Sequence, residues 1–156
     1  MKYKLSIEIN DYVRKLDKKF EKIINETLDY TYKELVNAMP VRSGAYLNNT
    51  DIDYAKREEG IIKGRVYNDV MTAKNGKWAK VPLACLIEWG TGTVGEASNS
   101  FQHGYSYRQT PWTYYDEYLH MWVTTQGMVA RPHWYPTYQK ASIKLDKLLK
   151  ERLWEK

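Results

Sequence analysis

The residues of this 156-residue chain with chemistry to offer are few: three histidines, one cysteine, a Ser-Gly pair, a Gly-Thr-Gly triplet and a string of carboxylates. His103, His120 and His133 lie thirteen or more residues apart in different predicted elements, so none belongs to a metal-spaced pair of the His-Glu-x-x-His kind. They read as ordinary loop, strand and helix-start histidines. Cys85 sits in an apolar run with no histidine near it and reads as a buried, inert thiol. A single cysteine also excludes an intrachain disulfide and a cysteine-based structural zinc site. Ser43-Gly44 lacks the Gly-x-Ser-x-Gly elbow of a serine nucleophile. Gly90-Thr91-Gly92 resembles part of a phosphate loop but has neither the other glycines nor the Lys-Ser/Thr, and reads as a turn that needs positive φ. Asp51, Asp53, Glu58, Glu59 and Asp69 are the carboxylates a nuclease would need, but their spacing matches no metal site and they read as solvated strand edges. The expectation is no catalytic residue, no cofactor and no metal.

Aromatic residues stand out instead. Tyr 14, Trp 6 and Phe 2 give a chain dominated by side chains that are apolar on one side and polar at the tip, which suits contact surfaces. Tyr105, Tyr107, Trp112, Tyr114, Tyr115, Tyr118 and Trp122 fall within eighteen residues. Strand alternation counted straight through places Trp112, Tyr114, Tyr118 and Trp122 on one face and Tyr115 on the other. Trp122 is then a core residue and Tyr115 a protein–protein contact.

The elements that must hold these residues follow from periodicity. From Asp11 to Ala38, apolar residues recur at steps of three and four (Val13, Leu16, Phe20, Ile23, Ile24, Leu28, Leu35, Ala38), with Thr27 and Thr31 in the same stripe. This predicts a helix of roughly 42 Å, capped by Asn10 and stopped by Pro40. Lys4–Ile9 alternates and predicts a short strand or extended arm. Tyr46–Tyr54 and Ile61–Tyr67 are predicted strands joined antiparallel through Gly60, with Gly64 a bulge or close-approach point. Residues 68–80 form a predicted loop with the Asn75-Gly76 turn signal. Val81–Trp89 fits a strand or a short helix. Residues 94–110 are a predicted exposed loop, and Trp112–Tyr115 with Tyr118–Thr125 a hairpin about Asp116-Glu117. Pro132 opens a last helix, to about Trp154, on Tyr138, Ala141, Leu145, Leu148, Leu149 and Leu153. The sum is an α+β fold: one domain, 1–156, with long N-terminal and C-terminal helices packed on a small, mostly antiparallel sheet.

Charge adds little direction. Lys+Arg 24 against Asp+Glu 19 gives +5, and the excess is spread along the chain rather than gathered in a basic tail or arm. No run approaches the ~20 apolar residues of a membrane span, and the first residues lack a signal-peptide core, so a cytoplasmic protein with no membrane partner is expected.

Three short motifs, in order, resemble one family. They are Pro40-Val41-Arg42-Ser43-Gly44 after the long helix, Ala84-Cys85-Leu86-Ile87-Glu88-Trp89-Gly90-Thr91-Gly92, and Thr125-Gln126-Gly127 followed by Ala130-Arg131-Pro132-His133-Trp134-Tyr135-Pro136. Together they are similar to the tail-completion, or head–tail joining, neck proteins of long-tailed bacteriophages, over roughly residues 10–150. Those carry Pro-Val-x-Thr-Gly, Tyr-Ala-x-x-Val-Glu-Phe-Gly-Thr and Ala-x-Pro-Phe-Leu-x-Pro-Ala; here Ser43 stands for the Thr and His133-Trp134 for the Phe-Leu. The resemblance implies a structural virion protein and homo-oligomer, most simply a hexameric ring, at the head-proximal end of a tail: a tail completion, collar or joining piece. Its partners would be the tail tube or sheath and the neck or connector proteins, with DNA involved at most by passage through the ring. The same piece would serve a phage tail-like bacteriocin particle, assembled in a bacterial host cytoplasm. Interface candidates are Trp78, Glu88, Trp89, Phe101, Tyr105, Tyr107, Arg108 and Tyr115, with Glu88 either a paired carboxylate under a loop or a contact to a neighbouring subunit. The alternative is a nucleic-acid-binding or processing protein that uses Lys74, Lys77 and Lys80 with nearby tyrosines as stacking platforms.

Overall fold

The computed structural model describes residues 2–40, 44–70, 82–98, 110–116 and 118–154. The element order is α1 (Lys2–Ala38), α2 (Ala45–Asn48), β1 (Thr50–Glu58), β2 (Ile61–Asn68), α3 (Leu83–Trp89), α4 (Gly92–Ser98), β3 (Trp112–Asp116), β4 (Met121–Thr125), β5 (Gly127–Met128) and α5 (Trp134–Leu149), which ends in a π-helical turn, Lys150–Trp154. Long first and last helices with two small antiparallel sheets make the fold α+β. The chain groups into two compact units: Met1–Met39, Leu47–Asn68 and Pro136–Lys156 form the first, Pro40–Tyr46 and Asp69–Tyr135 the second.

In the first unit the stripe of α1 supplies the core. Ile23, Thr27, Leu28, Leu35 and Met39 are buried, and Ala141 and Leu148 are buried on α5. Thr27 and Thr31 satisfy their hydroxyls on the carbonyls one turn back, at 2.9 and 2.6 Å, so they lie in the stripe without an orphaned polar atom. Ion pairs tie α5 to α1: Arg152 to Glu26 at 2.7 Å and Lys140 to Glu34 at 2.5 Å. Both are exposed and contribute little each. Tyr138, counted from periodicity as a helix-core residue, is exposed; Thr137 takes the buried position instead.

Strands β1 and β2 pair antiparallel from Thr50↔Asn68 to Glu58↔Ile61 and turn through Glu59-Gly60, both at positive φ. The register slips between Asp53 and Lys56, so Tyr54 and Ala55 together oppose Gly64. The bulge takes Ala55 N–H out of the ladder, and Asn25 of α1 accepts it at 2.7 Å. Gly64 is the close-approach point the sequence predicts: a Cβ there would stand 2.7 Å from Leu28 Cδ1 and 3.0 Å from Ala55 N.

Several expectations need correction. Residues 4–9 belong to α1 rather than to a strand, so Asn10 lies inside the helix rather than at its start. The run Leu5, Ile9, Val13, Leu16, Phe20 has steps of four and three, and this continuation of the helix period outweighs the local alternation. Residues 45–48 are a short helix, and the strand begins only at Thr50. Val94–Ser98 lies in α4 rather than in a loop. Residues 83–89 are helical, which resolves the ambiguity of that apolar run. Pro132 precedes the last helix, which starts at Trp134.

Gly64→Ala is expected to destabilise the chain by about 1–3 kcal/mol, since the added methyl must displace Leu28 and press on the bulge backbone. Urea unfolding measures it; an unchanged midpoint would show that α1 does not approach the bulge this closely.

Candidate functional site

Several polar groups of the second unit gather at the start of α5. A helix leaves its first backbone N–H groups without intrahelical acceptors. Here His133 precedes the helix, and Trp134, Tyr135 and Pro136 are its first residues. The Glu88 carboxylate from α3 accepts all three available N–H groups: His133 at 2.7 Å and Trp134 at 2.9 Å on Oε2, and Tyr135 at 2.9 Å on Oε1. Pro136 has no N–H to satisfy. A carboxylate is the fitting acceptor, because two oxygens serve three donors and the negative charge meets the positive end of the helix dipole. Arg131 N–H donates to Ile87 O at 2.8 Å and holds the segment leading into α5 against α3.

The His133 ring extends this cap. It is 1% exposed, Nδ1 lies 2.8 Å from Arg131 O and 3.2 Å from Glu88 Oε2, and Nε2 lies 2.8 Å from Tyr46 Oη. Both neighbours of Nδ1 are acceptors, so Nδ1 carries the proton. Trp134 Nε1–H donates to Tyr46 Oη at 2.8 Å. Tyr46 then donates to Nε2, and the chain Trp134→Tyr46→His133→Arg131 O closes with every donor matched in the neutral tautomer. The Tyr46 and His133 rings also meet edge to face, with centroids 5.6 Å apart.

Tyr46, His133 and Glu88 stand in series, and the surroundings of Tyr46 and Glu88 set their charge. Burial pushes the Tyr46 hydroxyl up to about 12; the Trp134 N–H works against this, and the Glu88 charge adds to it. The phenol therefore stays protonated at neutral pH. Burial alone would raise Glu88; the hydrogen bonds from the His133 ring and from the backbone of His133, Tyr135 and Trp134 outweigh it and hold the carboxyl down to about 2.

The turn ahead of α5 is locked by glycines. Thr91 bridges Met128 and Gly92 bridges Gly127. Gly92 has φ +65 and Gly127 φ +120; a Cβ on Gly92 would strike the Gln126 carbonyl, and one on Gly127 the Thr91 carbonyl. The Gly-Thr-Gly triplet is the positive-φ turn its sequence predicts. It passes backbone to backbone against Gln126-Gly127.

The second feature of this unit is the β3–β4 hairpin. Its register pairs Trp112↔Thr125, Thr113↔Thr124, Tyr114↔Val123, Tyr115↔Trp122 and Asp116↔Met121. Cross-strand partners share a face, so Thr113, Tyr115, Trp122 and Thr124 line one side. Tyr115 and Trp122 meet edge to face at 5.6 Å, and Thr113 and Thr124 join hydroxyls at 3.0 Å. All four are exposed, Trp122 at 68%. This corrects the parity argument: Trp122 is not core and is not opposite Tyr115. Asp116 belongs to β3 rather than to the turn, and the second strand begins at Met121 rather than at Tyr118; residues 118–120 are turn and break the count, and the register sets the faces. Asp116 is buried and accepts the N–H groups of Tyr118 and Leu119, both at 3.0 Å, which shapes the tip. Tyr118, at the tip, is 82% exposed.

Of the predicted interface residues, Glu88 is 5% exposed within the chain, in the manner of a paired carboxylate. Trp89 is half-buried beside it and Tyr115 is exposed. Trp78, Phe101, Tyr105, Tyr107 and Arg108 lie outside the described residues, as do Lys74, Lys77 and Lys80 of the nucleic-acid alternative and most of the 68–80 and 94–110 loops. Cys85 is half-buried rather than buried. Asp51, Asp53, Glu58, Glu59 and Asp69 are spread along the β1–β2 hairpin and its exit, with Asp53 paired to Arg65 at 2.7 Å. Among the described residues no three of His, Cys, Asp and Glu come together to hold a metal, and no helix is long and apolar enough to cross a membrane. Tyr46, His133 and Trp134 form the network without having been singled out as a set; the only signal was their place inside or beside the three motifs. Comparison of the chain with protein-family models, with curated proteins and with solved structures finds no match.

Because the folded Glu88 carboxyl lies below its ordinary value of about 4.3, its stabilisation is present above that pH and is lost as pH falls toward 2. The full contribution is about 3 kcal/mol. Glu88→Gln keeps one acceptor but turns an amide N–H₂ toward the backbone donors, and should lower stability at pH 7 by about 3 kcal/mol. The gap to the parent chain should narrow by about 1 kcal/mol at pH 3.5. Urea unfolding at the two pH values checks it; a gap that is absent or does not change with pH contradicts the cap.

Proposed function

We propose that the chain is a structural assembly protein that closes into a ring, most simply six-fold, at the head-proximal end of a phage tail or tail-like particle. In this reading it completes the tail, forms a collar or joins tail to head, and is not an enzyme. The observation that carries the reading is the open face of the β3–β4 hairpin, where Tyr115 and Trp122 stand edge to face and exposed. Tyr and Trp on a rigid, exposed hairpin are interface anchors, and uncovered they are a solubility liability.

Two further points support it. The three segments that resemble the neck-protein motifs converge in one unit: Tyr46 beside the first, Glu88 in the second and His133-Trp134 in the third make one hydrogen-bonded network. Among the described residues, Glu88, His133 and Trp134 of these motifs are engaged in holding that unit together. A ring built by a head-to-tail contact matches the rotational symmetry of a tail and needs no two-fold axis.

Native mass measurement and electron microscopy of the purified chain, and of tails from cells that produce it, test the proposal. A closed ring with a mass near six subunits, seated at one tail end, is the expected result. A two-fold dimer in the assembled particle, or a chain absent from tails, would overturn it.

A further inference from the structure

We draw no further inference here: the strongest candidate, the open face of the β3–β4 hairpin where Tyr115 and Trp122 stand exposed, carries none, because nothing among the described residues shows what covers it.

Discussion

A helix that starts inside a folded unit must find acceptors for N–H groups that the helix itself cannot satisfy. At α5 that requirement falls on one side chain. The Glu88 carboxylate takes the N–H groups of His133, Trp134 and Tyr135, and the proline at the next position removes the last donor. No residue of α5 provides this cap. It comes from α3, forty-five residues earlier, so the cap is a tertiary constraint: α3 and the start of α5 are held by the same atoms.

Much of the second unit follows from that junction. The chain between Glu88 and His133 must return on itself, and it does so through Gly92 and Gly127 at positive φ, where the backbones pass too closely for a side chain. The ring of His133 is buried beside the same carboxylate and is fixed in one tautomer by Arg131 O, Tyr46 and, through Tyr46, Trp134. A network with every partner matched is rigid, because any rearrangement would strand a buried donor. The β3–β4 hairpin leads directly into the Gly127 side of this crossing.

The sequence was most informative where one signal acted alone. The α1 stripe from Phe20 to Leu35, the Glu59-Gly60 turn, the close approach at Gly64 and the presence of an aromatic hairpin, though not its register, were all legible from period and turn residues. Lys4–Ile9 was misread because six alternating residues also fit the helix period, and length favours the helix. The faces of the aromatic hairpin were misread because parity was counted across a tip whose residues do not follow strand geometry; only the Tyr115↔Trp122 register settles which rings share a side. At the site, Glu88 was visible as a residue of interest, but its partners were not. A cap supplied from a distant segment leaves no local spacing, unlike a capping box within one helix.

The central claim is that a charged Glu88 holds the start of α5. The most direct measurement is the carboxyl carbon resonance of Glu88 followed from pH 7 down to pH 3. The account predicts that Glu88 stays ionised at pH 3, where an ordinary glutamate of pKa about 4.3 is almost wholly protonated, because burial is outweighed by the donors that hold the group down to about 2. A Glu88 resonance that titrates with a midpoint near 4.3, in a chain still folded, would contradict it.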